Sequence, residues 1–356
     1  MAENEVKLMK GNEVIAHAAI RYGCDAYFGY PITPQSEVME TLMELKPWET
    51  TGMVVLQAES EISSINMVYG GAATGKRVMT SSSSPGISLM AEGLSYIAGA
   101  ELPCLIVNCQ RGGPGLGTIQ PSQGDYFQAC KGGGHGDYRT IVLAPSSVQE
   151  NADLAYLAFD LAEKYRHPVL IGSDAAIGQM VEPVELPEMR EHDINTYDWA
   201  IRPRKAGEDQ KVIWNTYYTI GADAYMDYLK EKYATIEANE QRWENVQTDD
   251  AEIVLVAYGI SSRVCKAAVK KARAQGIKLG LIRPITLWPY PKKAFDALGD
   301  QVKGFLVVEM SILGQMCDDV VLACGNKHPV ESYGEFANVP SEDVILERVQ
   351  EMLKKY

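Results

Sequence analysis

Short apolar runs alternate with longer helix-patterned stretches from residue 11 onward. The helix patterns fall at about 11–22, 36–46, 59–73, 86–100 and 147–165. Between them lie Met53-Val54-Val55-Leu56, Arg77-Val78-Met79-Thr80, Leu105-Ile106-Val107, Thr140-Ile141-Val142-Leu143 and Val169-Leu170-Ile171. Apolar runs this short, bounded by Gly, Pro or Ser, read as strands buried on both faces. Their alternation with helices predicts an α/β fold with a parallel sheet covered on both sides. The rhythm breaks after about residue 178. Residues 181–250, rich in charge and aromatics, show no clear strand and read as a connecting arm with a helix near 216–240. Alternation resumes with strand patterns at 253–256, 279–282 and 305–308 and a helix pattern at 262–275. The expectation is therefore two doubly wound domains, residues 1–180 and 251–356, joined by the arm 181–250.

Composition removes several functional classes. Hydrophobic residues make up 46% and charged residues 22%, which suits a soluble globular chain. No apolar run is long enough for a membrane span, and the first residues lack a signal-peptide pattern, so the cytoplasm is the expected compartment. The net charge of −14 argues against nucleic-acid partners, whose phosphates need clustered Lys and Arg. The seven cysteines include no C-x-x-C pair, so neither a zinc site nor an iron–sulfur ligand set is expected, and buried free thiols are.

Two motifs fail on inspection. Gly70 to Lys76 matches G-x-x-x-x-G-K, but Arg77 follows where a P-loop needs a hydroxyl, and the order is helix then strand rather than the reverse. The loop Arg111–Gly117 lacks the third glycine of a dinucleotide fingerprint and carries Pro114.

Three loops remain, each at the predicted carboxyl end of a strand, where open α/β sheets hold their ligands. In Gly29-Tyr30-Pro31-Ile32-Thr33-Pro34-Gln35-Ser36-Glu37, two prolines stiffen the turn. Thr33 or Ser36 either caps the next helix or presents a hydroxyl to a ligand. In Gln57-Ala58-Glu59-Ser60-Glu61, Glu59 follows four apolar residues. It is either a first-turn glutamate favoured by the helix dipole or a carboxylate near the interior, with a raised pKa, that shares a proton with a ring nitrogen. In Asn108-Cys109-Gln110-Arg111-Gly112-Gly113-Pro114, Arg111 is either a surface ion-pair residue or a planar fork for a carboxylate.

Together these segments resemble the pyrimidine-binding subunit of the 2-oxoacid:ferredoxin oxidoreductase family. The resemblance is carried by GYPITPQSE (29–37), QAESEISSINMVYGGAATG (57–75), TSSSSPGISLMAEGLSY (80–96) and NCQRGGPGLGT (108–118). YFQACKGGGHGDYRTIVLAPSSVQE (126–150) looks like the branch acting on branched-chain 2-oxo acids, and the C-terminal part is similar to the transketolase C-terminal domain. The resemblance implies that Glu59 hydrogen-bonds the aminopyrimidine of thiamine diphosphate, with Tyr30, Pro31 and Ser84 beside the cofactor. It implies that Thr33 and Arg111 hold the carboxylate and carbonyl end of the 2-oxo acid. It further implies oxidative decarboxylation to an acyl-CoA, with coenzyme A as co-substrate and ferredoxin as electron acceptor.

The family's diphosphate-and-magnesium motif, GDG followed by Asn, is missing, since Gly124-Asp125 and Gly136-Asp137 each precede tyrosine. No metal ligand is therefore expected on this chain. Magnesium and iron–sulfur clusters are expected on partners: a diphosphate-binding subunit, a gamma subunit and a ferredoxin-like cluster subunit. Within the family a 2-oxoglutarate enzyme is the nearest rival, and a pyruvate enzyme a more distant one. A non-catalytic assembly subunit is the rival from another class, against which the retention of Thr33, Glu59 and Arg111 together speaks.

Overall fold

The computed structural model describes residues 6–190 and 197–356. In chain order the first strands are β1 (Val6–Lys10), β2 (Ala26–Gly29), β3 (Val54–Gln57), β4 (Val78–Ser82) and β5 (Cys104–Gln110). There follow β6 (Ile141–Leu143), β7 (Pro168–Asp174), β8 (Val181–Glu185), β9 (Trp243–Val246) and β10 (Ile253–Val256). The last are β11 (Leu279–Pro284), β12 (Thr286–Trp288), β13 (Gly304–Glu309) and β14 (Val330–Gly334).

In this α/β architecture twelve of them form two helix-covered sheets, while β1 and β8 pair as a separate antiparallel ribbon. The seven-stranded sheet has the order β12-β6-β7-β5-β4-β2-β3 and the five-stranded sheet β14-β13-β10-β11-β9. All pairs in the first are parallel except β12 with β6. All in the second are parallel except β9 with β11. The strands β4, β5 and β7 are buried along their whole length, which explains their mostly apolar or small residues, with the polar Asn108, Gln110 and Asp174 towards their carboxyl ends. Helix Gly11–Tyr22 packs on Ser36–Leu45 and Val148–Tyr165, while Glu61–Ala73 packs on Ser84–Gly99. All seven cysteines are free, and six are buried.

The sequence pattern shows no strand at β1, β2 or β14, and the structure departs from it in four further places. The helix expected from residue 59 begins at Glu61, because Ser60 caps it by accepting the Ser63 amide at 3.2 Å. The run at 53–56 is not a doubly buried strand: β3 is the sheet edge, leaving Val54 49% and Leu56 39% exposed. The arm contains strands β8 and β9 besides its helices Tyr217–Ile220 and Ala222–Asn239. Finally, β12 lies within 251–356 yet completes the edge of the first sheet.

A polar seam also joins the two sheets. The Gln123 amide donates to Met310 O at 2.9 Å, and its side chain donates to Tyr258 O at 2.9 Å while accepting from Ser261 Oγ at 2.9 Å. Arg283 is almost wholly buried and donates to both carboxylate oxygens of Glu150, at 2.7 and 2.8 Å. Beside Met310, Glu309 is fully buried at the end of β13 and accepts the Met316 amide at 3.2 Å. Burial pushes its carboxyl up to about 8, and the charge of Asp318 adds to the effect.

Candidate active site

Because β5, β4, β2 and β3 are neighbours and parallel, the loops after them emerge side by side at one end of the sheet. These loops carry, in that order, Arg111, Ser84, Tyr30 to Thr33, and Glu59. Three strand spacings of about 4.8 Å put Arg111 and Glu59 on the order of 14 Å apart, with the other residues between them.

The Tyr30–Gln35 turn is fixed from behind. The Pro34 carbonyl accepts from Asn12 Nδ2 at 2.6 Å and Gln179 Nε2 at 2.9 Å. Gln35, fully buried, donates to Tyr30 O at 3.2 Å and accepts from Ser81 Oγ at 2.5 Å. Glu37 accepts from Gln179 at 2.8 Å and Asn12 at 3.1 Å. Burial pushes its carboxyl up, but these bonds and the nearby Lys10 outweigh it, so Glu37 titrates below the usual range. Gln35, not Thr33 or Ser36, occupies the N-cap of helix Ser36–Leu45, and no side chain caps it. The exposed Thr33 hydroxyl is therefore not committed to a cap. Pro31 is exposed and Tyr30 half-buried beside it.

Arg111 is 7% exposed. Its Nη1 donates to Thr33 O at 2.8 Å and its Nη2 to Leu116 O at 3.2 Å, while Nε is buried without a partner. No carboxylate among the described residues pairs with this guanidinium. A buried cation held by two neutral carbonyls keeps unused donors and an uncompensated charge, which an anion would satisfy. The arrangement excludes the surface ion-pair alternative and suits a carboxylate ligand.

Ser84 opens helix Ser84–Gly99 and its hydroxyl is engaged within the chain. It donates to Asp125 Oδ2 at 2.6 Å and accepts the Arg111 amide at 3.0 Å. Asn108 Nδ2 reaches the same Asp125 oxygen at 2.9 Å. Burial raises the Asp125 carboxyl above its usual range, against the hydrogen bonds from Ser84 and Asn108. Ser84 thus positions the Arg111 loop. Asn12, Gln35, Asp125 and Gln179 escaped sequence reasoning as supporting residues. Gln35 stood within the recognised motif, but no spacing rule marks the other three.

Glu59 is not near the interior. It is exposed, one residue before the Ser60 cap, and accepts a bond from Ser63 Oγ at 3.3 Å. Its exposure follows from the edge position of β3. Beyond it, Ile62 (52% exposed), Leu89 (51%) and Met67 (37%) stand on the outer faces of two helices whose solvent side is almost free of charge.

A family model described as pyruvate flavodoxin/ferredoxin oxidoreductase, thiamine diphosphate-binding, matches residues 17–248. The chain belongs to this family. A second model, pyruvate:ferredoxin oxidoreductase core domain II, matches residues 251–345. The ketoisovalerate oxidoreductase subunit VorB of Methanothermobacter thermautotrophicus is 52% identical over 322 residues, which is 90% of each chain. The 2-oxoglutarate synthase subunit KorA of Methanocaldococcus jannaschii is 38% identical, covering 90% of this chain and 92% of its own. Among solved structures, 2-oxoglutarate:ferredoxin oxidoreductase from Magnetococcus marinus superposes with a TM-score of 0.85 at 26% identity. The match covers 99% of this chain and 66% of that longer one, which was solved with 2-oxoglutarate, coenzyme A and succinyl-CoA bound. A split-gene transketolase shares the fold, with a TM-score of 0.61 at 12% identity. The family is one of oxidoreductases, and the relatives are named as subunits, so this chain works with partner chains.

Proposed function

We propose that this chain is the substrate-gripping, pyrimidine-contacting subunit of a branched-chain 2-oxoacid:ferredoxin oxidoreductase that oxidatively decarboxylates 3-methyl-2-oxobutanoate to its acyl-CoA. The observation that carries the reading is Arg111, a buried guanidinium with a free Nε and no carboxylate partner, held against the Thr33 turn. The substrate carboxylate supplies the missing charge, and the Thr33 hydroxyl reaches the adjacent carbonyl end. Ser84, through Asp125 and the Arg111 backbone, keeps that loop in place.

The residues at the opposite end fit thiamine diphosphate in part. Glu59 offers an exposed carboxylate for the pyrimidine ring nitrogen, with Tyr30 and Pro31 beside it. Bound there, the cofactor would act as electron sink for loss of carbon dioxide. This chain's part is to hold a proton between Glu59 and the ring and to orient the oxo acid. The diphosphate and its magnesium would be held by a partner subunit that covers the uncharged helix faces next to Glu59. Iron–sulfur clusters on a ferredoxin-like chain, a gamma subunit and external ferredoxin complete the assembly, which works in the cytoplasm.

A branched-chain rather than a dicarboxylic substrate is favoured by charge. Across the loops 29–37, 57–61, 80–86 and 108–119, Arg111 is the sole Lys or Arg, so a second carboxylate finds no further cation on these loops. The 52% identity to a ketoisovalerate oxidoreductase subunit points the same way. The purified complex, assayed anaerobically with a dye acceptor against a panel of 2-oxo acids, should give its highest kcat/KM on 3-methyl-2-oxobutanoate. A higher value on 2-oxoglutarate would reassign the substrate.

A further inference from the structure

The glycine-rich stretch before Tyr138 takes no part in the candidate site, yet it has a built shape. A Cβ on Gly134 would lie 2.4 Å from Ala91 O and 2.9 Å from the Tyr138 hydroxyl. Its amide donates to that hydroxyl at 2.9 Å. Gly132 and Gly136 hold φ values of +109° and +94°, a region that L side chains rarely adopt. The loop is thereby pressed onto helix Ser84–Gly99, with Ser95 Oγ 3.4 Å from His135 Nδ1. The arm docks beside it: the Thr216 amide donates to Gly99 O at 2.9 Å, and a Cβ on Gly99 would meet Asn215 Nδ2 at 2.7 Å.

Between loop, helix end and arm lies a cleft of about 440 Å³ walled by Tyr69, Tyr96, Trp214, Tyr218 and Tyr225, with Asp137 among its lining. It stands at the far end of helix Ser84–Gly99 from Ser84, roughly 22 Å along the axis at 1.5 Å per residue. It is therefore separate from the candidate active site.

We propose that this cleft receives a basic side chain, an arginine or a lysine, projected by a partner subunit. The argument is charge complementarity. Aromatic faces, the Asp137 carboxylate and the His135 ring line the space with no Lys or Arg among them, a set that favours a cation over an anion. The surroundings select a protein over a free small cation. Of the walls themselves, Tyr218 is 69%, Tyr96 55% and Trp214 54% exposed, an open aromatic surface of the kind that partner chains cover. In helix Ala222–Asn239, Lys232 and Ile236 are buried and Tyr233 packs on His167 and Trp288, while Met226, Asp227 and Lys230 are exposed to a partner. The proposal rests on the functional reading only in requiring a partner chain.

The test uses the complex reconstituted from its purified subunits. Irradiation with p-benzoylphenylalanine in place of Tyr218 should link one partner subunit through a peptide containing Arg or Lys. Asp137→Lys should raise the concentration at which the complex dissociates at least tenfold, and Asp137→Asn should raise it less. At saturating partner concentration the Asp137→Lys complex should keep wild-type kcat, so loss of docking and loss of the catalytic reading give different results. The proposal is overturned by a cross-link to a second copy of this chain, or by one to a peptide without a basic residue. It is equally overturned if Asp137→Lys assembles like wild type.

Discussion

At the scale of single residues, the site depends on donors left unused. Arg111 spends one N–H on Thr33 O and one on Leu116 O, and its buried Nε has no partner. Lysine at this position would keep the charge but could not match a planar carboxylate while holding both carbonyls. Arg111→Lys should therefore raise KM for the 2-oxo acid by an amount worth roughly 1.5–3 kcal/mol, the value of one charged hydrogen bond. Steady-state kinetics of the complex check this, and an unchanged KM would remove Arg111 from substrate binding. Glu59 gives a different expectation, because it is exposed and contributes little to the lone chain's stability. Glu59→Gln should leave melting and assembly unchanged while activity falls by orders of magnitude, since an amide cannot share a proton with the ring. Wild-type turnover in that variant would move the role to Glu61, which is buried at the start of the next helix. The turns that carry Thr33 and Arg111 were legible in the sequence because prolines and glycines frame them, and the Glu59 loop because it follows an apolar run. The exposure of Glu59 was not legible: whether a strand is central or at an edge depends on pairing order, which local pattern does not encode.

At the scale of elements, the buried parallel strands were readable, and the strands that knit the molecule together were not. The apolar runs at 105–107, 169–171, 253–256 and 305–308 all lie within buried strands, because a strand covered on both faces must be apolar throughout. β12 has three residues and β9 four, and each takes an antiparallel edge determined by distant neighbours. The position of β12 has a consequence for dissection. Removing everything after residue 250 would strip β12 from β6, whose three residues are wholly buried. It would also take away Arg283, the partner of Glu150, and Trp288, which meets Tyr233 edge-on at 5.7 Å. The fragment 1–250 should aggregate or melt without cooperativity, through an open apolar strand edge. Gel filtration and circular dichroism decide the matter, and a monomeric fragment melting close to the full chain would show that β12 is dispensable.

At the scale of the whole molecule, two properties follow from how its parts join. The lone chain offers Glu59 and a shallow rim to thiamine diphosphate but no P-loop and no GDG motif for the diphosphate. One hydrogen bond and partial ring burial cannot offset the freedom lost on binding, roughly 4–15 kcal/mol. Calorimetry with the cofactor and Mg²⁺ should show no micromolar binding to the lone chain and clear binding once the diphosphate-binding partner is added. Micromolar binding to the chain alone would end the split-site reading. The second property is a proton linked to the seam between the sheets. Unfolded, Glu309 would titrate near the ordinary ~4.3, but folded it is pushed up to about 8 by burial, with Asp318 adding. Between those values the folded chain keeps a proton that the unfolded chain has released, so rising pH favours unfolding, and the loss levels off above about 8. Asp174, raised to about 6 by burial, acts in the same direction at lower pH. His167, lowered to about 3 by burial, acts oppositely but only below its ordinary value of 6.5. Across the window from pH 6.5 to 8, Glu309 is therefore the largest single contributor, and the thiols of Cys24, Cys104, Cys109 and Cys265, pushed up by burial, add in the same direction toward pH 8. Over 1.5 pH units the Glu309 share amounts to roughly 2 kcal/mol, at about 1.4 kcal/mol per unit. Glutamine keeps the shape and still accepts the Met316 amide, but it does not titrate. Urea unfolding of the lone chain should show wild type weakening over that window and Glu309→Gln weakening less, so that the variant gains on wild type as pH rises. Parallel curves for the two proteins would mean that Glu309 is already ionised in the folded seam.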